Sequence, residues 1–376
     1  HLLVPPLVLG GSPSPAATAR EQRDYSACYC ILAMLKTTLA GSLPKPAWLA
    51  DPGHQLFAPW LPPADQLVEA QDDAVRLAIL DQEDAGLDIV SDGEQRRRHY
   101  IWGFLDGLTG TDTKRLGRKR TRGGKYVAEQ DVARITGELT RPGPVMGPAL
   151  AFAKAHTRSP VKVTLPGPMT LVDTTLDEHY RGDEESLAMR FAALLNAEAR
   201  DLAAAGADVI QFDEPCFNIY LDKVKAWGIR ALETAIAGVA CTTAIHICYS
   251  YGIPRVLAWK KQNTEWGQYG VTLPLLRETR IDQISLECAA SGVDMSVLGE
   301  ARGKDVLLGV IDVGTEEIES PELVATRIRK ALPYVDPGRL FPCTDCGLVP
   351  RTRPAARAKL RALVDGARLV RRELGA

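Results

Sequence analysis

Four side chains of zinc-binding type stand at the ends of short apolar runs: His246 and Cys248 in AIHICYS, Glu287 in ISLEC and Cys346 in CTDCGL. Thiolate, imidazole and carboxylate together suit zinc. On a strand, His246 and Cys248 at i and i+2 share one face. A His-x-Cys alone is a weak signal, but two further strand ends offer ligands, and an unpaired Glu287 would be expensive to bury. Cys343 and Cys346 form a Cys-x-x-Cys, which also fits a redox pair or a structural zinc site. Structural sites carry a second local Cys or His pair, absent here, so Cys346 is read as the ligand and Cys343 as a strand residue. Two acidic clusters accompany the set, Asp92 and Glu94 in SDGEQ and Asp213 and Glu214 in FDEP. Such pairs do general acid/base work or hold an ammonium group; their plainer reading is helix capping. Gly41-Ser42 offers N–H groups and a hydroxyl to a carboxylate or phosphate.

Ligands so far apart in sequence need a frame that gathers strand ends. Eight apolar runs supply one: residues 36–42, 87–93, 161–167, 208–214, 242–248, 283–288, 305–312 and 339–345. Stretches such as SLAMRFAALLNAEARDLAAAG and PELVATRIRKALPYV lie between them with apolar residues at helical spacing. Gly206 closes one helix just before the next strand. This alternation predicts a (β/α)8 TIM barrel, with DGE, PGP, DEP, HIC, LEC, DVG and TDCG at the C-terminal rim where such barrels place their chemistry. An insertion of about residues 95–160 separates strands two and three. Within it KYVAEQDVARITGEL alternates like a hairpin, while the basic TKRLGRKRTRGGKY reads as a solvated loop, or as a docking surface for an acidic partner or anionic cofactor.

The chain has 376 residues, 45% hydrophobic and 24% charged, enough for a substantial core. A net charge of -2 lacks the basicity of a nucleic-acid binder, and no apolar run has membrane-spanning length. Residues 1–33 have an apolar stretch followed by small residues but no basic n-region, and prolines interrupt them. They are read as an N-terminal extension or appended segment, with Met34 as the native start and 34–376 as one catalytic domain. Eight cysteines in this length do not form a dense disulfide framework, which favours the cytoplasm.

TTLAGSLPKP, SDGEQ, LPGPMTL, QFDEP, HICYS, ISLE, GVID and DCGL-x-x-R, in this order across residues 36–355, together resemble the cobalamin-independent methionine synthase family. The resemblance implies a (β/α)8 catalytic domain whose zinc activates the homocysteine thiol for methylation to methionine. It makes His246, Cys248, Glu287 and Cys346 the zinc ligands, with Glu287, a harder ligand than the thiolates, the one to loosen for substrate. It makes Ser42, Glu94 and Asp213 the grip on the amino acid's carboxylate and ammonium, with Glu94 and Asp213 in the catalytic roles. Three departures stand out: only the catalytic barrel is covered, the GPMTL run continues as LVDTT where the family carries a pterin-stacking Trp, and an expected Asp-x-His reads Asp312-Val313-Gly314. The departures resemble short core-type methionine synthases, whose methyl donors include methylcobalamin, a corrinoid protein and methyltetrahydrofolate. The rival is a zinc-thiol alkyltransferase of the same barrel acting on coenzyme M or another thiol. A sulfonate-bearing thiol would want Arg or Lys where Glu94 and Asp213 stand.

Overall fold

Strand alternation sorts the side chains of this barrel into two shells. The structure, a computed structural model, describes residues 34–51, 59–125 and 129–375; the N-terminal extension at 1–33 lies outside the described residues. The strands, in chain order, begin with β1 Thr109–Lys119 and β2 Gln130–Thr140, an antiparallel hairpin. Next, β3 Lys162–Pro166 opens the main sheet, and β4 Thr175–Asp177 joins the hairpin parallel to β2. The main sheet continues through β5 Val209–Asp213, β6 Thr242–Ile247, β7 Gln283–Leu286, β8 Asp305–Ile311 and β9 Leu340–Thr344, all parallel and in that order. In β5, Ile210 and Phe212 are fully buried in the shell shared with the helices, while Gln211 and Asp213 alternate to the inner side. Ile89, Val209, Ala244, Leu307, Phe341 and Cys343 form a smaller inner cluster.

Helices cover the outer shell: α1 Leu67–Ala85, α2 Gly147–His156, α3 Pro168–Asp173, α4 Glu184–Ala204, α5 Ile229–Ile236, α6 Pro254–Gln262, α7 Gln268–Arg277, α8 Pro321–Ala331 and α9 Arg353–Glu373. α4 shows why these segments are helical. Asp183 accepts from Ser186 N–H at its start, Glu184 and Glu185 complement the helix dipole, and Leu187, Phe191, Leu195, Ala199 and Leu202 bury one stripe. Gly206 then turns at φ 92° into β5. α9 is capped by Thr352 and packs on α8.

The two remaining runs, 36–42 and 87–93, close the ring between β9 and β3 without forming a regular ladder. Thr38 N–H donates to Pro342 O at 3.2 Å, Ile89 N–H to Thr37 O at 3.1 Å, and Lys162 N–H to Val90 O at 2.8 Å. Inner side chains take over where ladder bonds are missing. Ala40 N–H donates to Thr344 Oγ1 at 2.9 Å, Gln211 Nε2 to Ala40 O at 2.7 Å, and Lys162 Nζ to Leu39 O. The result is a (β/α)8 barrel with a seam stitched by side chains.

The insertion differs from its sequence reading in one respect. The basic TKRLGRK stretch is not a solvated loop but the body of β1, paired with β2 from Thr109↔Thr140 to Lys119↔Gln130. Its basic residues pass unnoticed as a strand because alternation is masked when the exposed side is this charged. The hairpin end returns to the barrel: buried Arg122 donates to Asp173 Oδ2 at 3.1 Å and to Tyr100 Oη at 3.0 Å, and contacts Cys216 Sγ. Among the described residues, no helix is long and apolar enough to cross a membrane.

Candidate metal centre and substrate pocket

β6 delivers His246 and, one residue past its end, Cys248; the segment after β9 delivers Cys346. One ligand atom from each lies within 4.8 Å of the others, and all three residues are buried. The two sulfurs are 3.7 Å apart. The Cys346 contact holds Cys248 well below the usual thiol range, helped by His246, while the same contact pushes Cys346 up. Burial works against a charged His246, yet the Cys248 sulfur beside it raises the imidazole above its ordinary value. His246 Nδ1 is hydrogen-bonded with Ser285 Oγ, its register partner on β7, at 2.8 Å. That contact orients the ring, and buried Nε2 is left with no hydrogen-bond partner. An orphaned imidazole nitrogen beside two converging sulfurs is the donor set a zinc ion satisfies. Three protein ligands with a further place open is the catalytic rather than the structural pattern.

The fourth sequence candidate, Glu287, follows β7 and is fully buried, but its oxygens are engaged elsewhere. Oε1 accepts from Lys260 Nζ at 2.6 Å and Oε2 from Tyr249 N–H at 3.0 Å. Burial pushes its carboxyl up to about 8, against the pull of Lys260. Cys343 sits within β9, buried, with its thiol toward Thr344 O and outside the ligand cluster.

The triad forms one wall of a cavity of ≈ 380 Å³, which also contains Ser42, Glu94 and Asp213. Glu94 adopts φ 58°, a conformation unusual for a residue with a Cβ. Asp92 accepts its N–H at 2.9 Å, and Thr164 Oγ1 donates to Glu94 Oε1 at 2.9 Å. Arg97 stands behind, 3.6 Å from Asp92 and 3.8 Å from Glu94. Burial pushes Asp213 up to about 7, with His246 pulling down and Glu94 pushing further up. Gln211 Nε2 donates to Asp213 Oδ1 at 2.8 Å. Ser42 Oγ is buried and unpartnered in the same cavity.

The four acids of the sequence reading divide. Glu94 and Asp213 line the pocket, whereas Asp92 braces the turn and Glu214 caps α3, accepting from Met169 N–H at 2.8 Å and from Thr170 N–H at 2.9 Å. Gly167 is required there, since a Cβ would overlap the Glu214 carboxyl. Sequence reasoning missed Tyr100 and Tyr251, whose rings meet edge-on at 5.9 Å over the pocket. Tyr251 follows Cys248 closely enough that HICYSY could have flagged it. It also missed Asp345, which gathers the N–H groups of Cys288, Ala289 and Ala290 and so shapes the loop after Glu287. A neighbouring hollow of ≈ 640 Å³ shares Tyr100, Ser250 and Tyr251 with the pocket and is bordered by Arg122 and Arg255.

Comparison with known proteins agrees with this geometry. The family model described as "Cobalamin-independent synthase, Catalytic domain" matches residues 35–369. Methionine synthases of Saccharolobus islandicus and Sulfurisphaera tokodaii are 33% and 32% identical, each aligned over 91% of this chain and over 97% and 94% of their own lengths. A solved structure of a B12-independent methionine synthase from Shewanella sp. W3-18-1, in complex with selenomethionine, superposes with a TM-score of 0.87 at 46% identity, covering 91% of this chain and 99% of that one. With the barrel, the His–Cys–Cys cluster and the motif order in agreement, the chain belongs to the cobalamin-independent methionine synthase family, as a catalytic domain.

Proposed function

We propose that this pocket seats homocysteine between two grips and presents its sulfur for methylation to methionine. The observation that carries this reading is the placement of His246, Cys248 and Cys346 in the same cavity as two buried acids, Glu94 and Asp213. Ser42 Oγ, unpartnered in the structure, donates to the substrate carboxylate. Glu94 and Asp213 hold the ammonium, and Gln211 and Thr164 fix one oxygen of each carboxylate so that the other stays available. The substrate sulfur then lies toward the two cysteines, its direction set by the amino-acid end. His246, Cys248 and Cys346 would hold zinc, with Glu287 as an exchangeable further donor, and the ion would supply the Lewis acidity that keeps a thiol ionised near neutral pH. Tyr100 and Tyr251 narrow the mouth and exclude water from the nucleophile.

The methyl donor is assigned to the neighbouring hollow, because Tyr100, Ser250 and Tyr251 line both that space and the pocket. The resemblance to enzymes that work without cobalamin favours a methylfolate over a methylcorrinoid. The Shewanella relative's selenomethionine, a product analogue, supports methionine as the product. A thiol bearing a sulfonate fits less well, since Glu94 and Asp213 would repel it. Free thiols at Cys216, Cys241, Cys248, Cys288, Cys343 and Cys346 fit a reducing, cytoplasmic setting. Recovery of the native chain from an oxidising compartment would contradict that placement.

The test is a methyl-transfer assay on zinc-loaded protein with homocysteine, comparing monoglutamyl and triglutamyl methyltetrahydrofolate with methylcobalamin. Calorimetric titrations with homocysteine and with coenzyme M run alongside. Zinc-dependent methionine formation from a methylfolate is expected, with homocysteine the preferred thiol. Cys248→Ala and Cys346→Ala are expected to lose zinc while remaining folded. Preference for coenzyme M, or stoichiometric zinc in both alanine variants, would overturn the assignment.

A further inference from the structure

Glu287 is held by a buried cation that the zinc chemistry does not need. Lys260 lies on α6, and its side chain is almost completely buried, as is that of Glu287; their charged atoms are 2.6 Å apart. Among the described residues, Glu287 is the only acid paired with Lys260 within 4.0 Å. Asp345 adds a weaker attraction, but its own oxygens are taken by three backbone N–H groups. The other nearby acceptor is Ser250 O, at 3.5 Å from Lys260 Nζ. A lysine this enclosed strongly resists losing its counter-ion, because breaking a buried pair leaves an uncompensated charge. No Glu287 oxygen belongs to the set of ligand atoms lying within 4.8 Å of one another. Glu287 is therefore held by Lys260 outside the His246–Cys248–Cys346 cluster, while its other oxygen accepts from the N–H of Tyr249, the residue next to Cys248.

We infer that Lys260 is a positioning residue that parks Glu287 away from the metal position, keeping the fourth coordination place open for the homocysteine sulfur. The inference rests on the reading of Glu287 as the exchangeable donor and adds what decides the exchange. Lys260 stabilises the parked carboxylate, so it opposes zinc affinity and favours substrate affinity. A ligand that must compete with a well-held alternative is displaced more readily, and the balance of two states is set by their difference in free energy. Tyr249 N–H reinforces the parked position through the second oxygen, and Tyr269 Oη fixes the backbone of the same residue by accepting Glu287 N–H at 3.0 Å.

The experiment is a double-mutant cycle between Lys260→Met and Glu287→Gln. It is read by zinc dissociation constants from chelator competition and by homocysteine binding to zinc-loaded protein. Lys260→Met keeps the apolar stem and removes the charge. It is expected to tighten zinc about tenfold and to weaken homocysteine about tenfold, changes that vanish when Glu287→Gln is also present. Lys260→Arg, which retains the charge, is expected to stay within about twofold of the parent. Lys260→Gln serves the same arm should the methionine variant not fold. If Glu287→Gln weakens zinc but Lys260→Met does not tighten it, the parking role is overturned while Glu287 remains a ligand. If Glu287→Gln leaves zinc affinity unchanged in both backgrounds, Glu287 is no ligand, and the underlying reading fails first. Equal losses in Lys260→Arg and Lys260→Met would show that packing rather than charge is at stake.

Discussion

Ser42 has a hydroxyl that the protein leaves unsatisfied, and the chain has made room for it: a Cβ at Gly347 would overlap Ser42 Oγ. A buried hydroxyl without a partner is unfavourable unless a ligand completes it. Ser42→Ala is therefore expected to raise KM for homocysteine about tenfold, with kcat and zinc content little changed. Steady-state kinetics with zinc analysis checks this, and an unchanged KM would remove Ser42 from the substrate grip. Legibility at this scale follows locality. His246 and Cys248 are two residues apart on one strand, and Ser42, Glu94, Asp213 and Cys346 each end an apolar run, so residue type and position coincide. Lys260 offers no such signal, because WKKQ on a helix reads as a solvated face, and only the fold reveals that α6 turns this lysine inward. Glu287 illustrates the opposite limit: its chemistry is visible in ISLEC, but its partner in space is not.

Between residues and barrel, the rim is set by short devices joining one strand to the next. α3 is a single short helix whose N-terminus receives the Glu214 carboxylate from the end of β5, and Gly167 supplies the space. Because Glu214 adjoins Asp213, this cap also aligns the pocket wall. Gly167→Ala is expected to destabilise the protein by about 2–4 kcal/mol through overpacking and loss of the cap. Urea unfolding of the variant measures it, and a change under about 0.5 kcal/mol, the range of a neutral surface substitution, would show that the rim yields. Strand existence is legible from apolar runs, and six of the eight runs carry the ladder. What the runs leave out is pairing. Residues 36–42 and 87–93 look as strand-like as the others, yet side chains take part of their backbone bonding: Thr344, Gln211 and Lys162 meet Ala40 and Leu39, and Gln82 meets both the N–H and the O of Ser91. The basic strand β1 is missed for a different reason: charge hides alternation.

As a whole molecule, the barrel concentrates buried acids at one end. Burial lifts Glu214 from 4.5 to about 7 and Asp213 from 3.8 to about 7. Each holds a proton in the folded chain at pH values where the unfolded chain has released it. The contribution of these two acids to the stability of the zinc-free protein is thus fully present below about pH 4 and is lost as pH rises toward about 7. The displacement at Glu214 alone corresponds to about 3 kcal/mol. Lys45 and Lys162, pushed by burial down to about 8, act in the reverse sense and restore stability above that pH. Urea denaturation in chelator from pH 4 to 10, comparing the parent with Asp213→Asn, is expected to show the parent losing relative stability up to about pH 7; a difference that does not change with pH would contradict it.

The side-chain seam gives the two ends of the substrate different owners. In the amino-acid grip, Ser42 and Glu94 come from the two segments outside the ladder and are joined by Asp213 at the end of β5, whereas the sulfur end belongs to β6 and to the residues just after β6 and β9. Acceptor choice and metal chemistry can therefore drift separately. Substitutions along the seam, at Lys162 or Gln211 as much as at Ser42, retune which thiol is welcomed while the metal ligands keep their backbone frame. A barrel divided in this way can exchange one thiol substrate for another without rebuilding the centre that activates it.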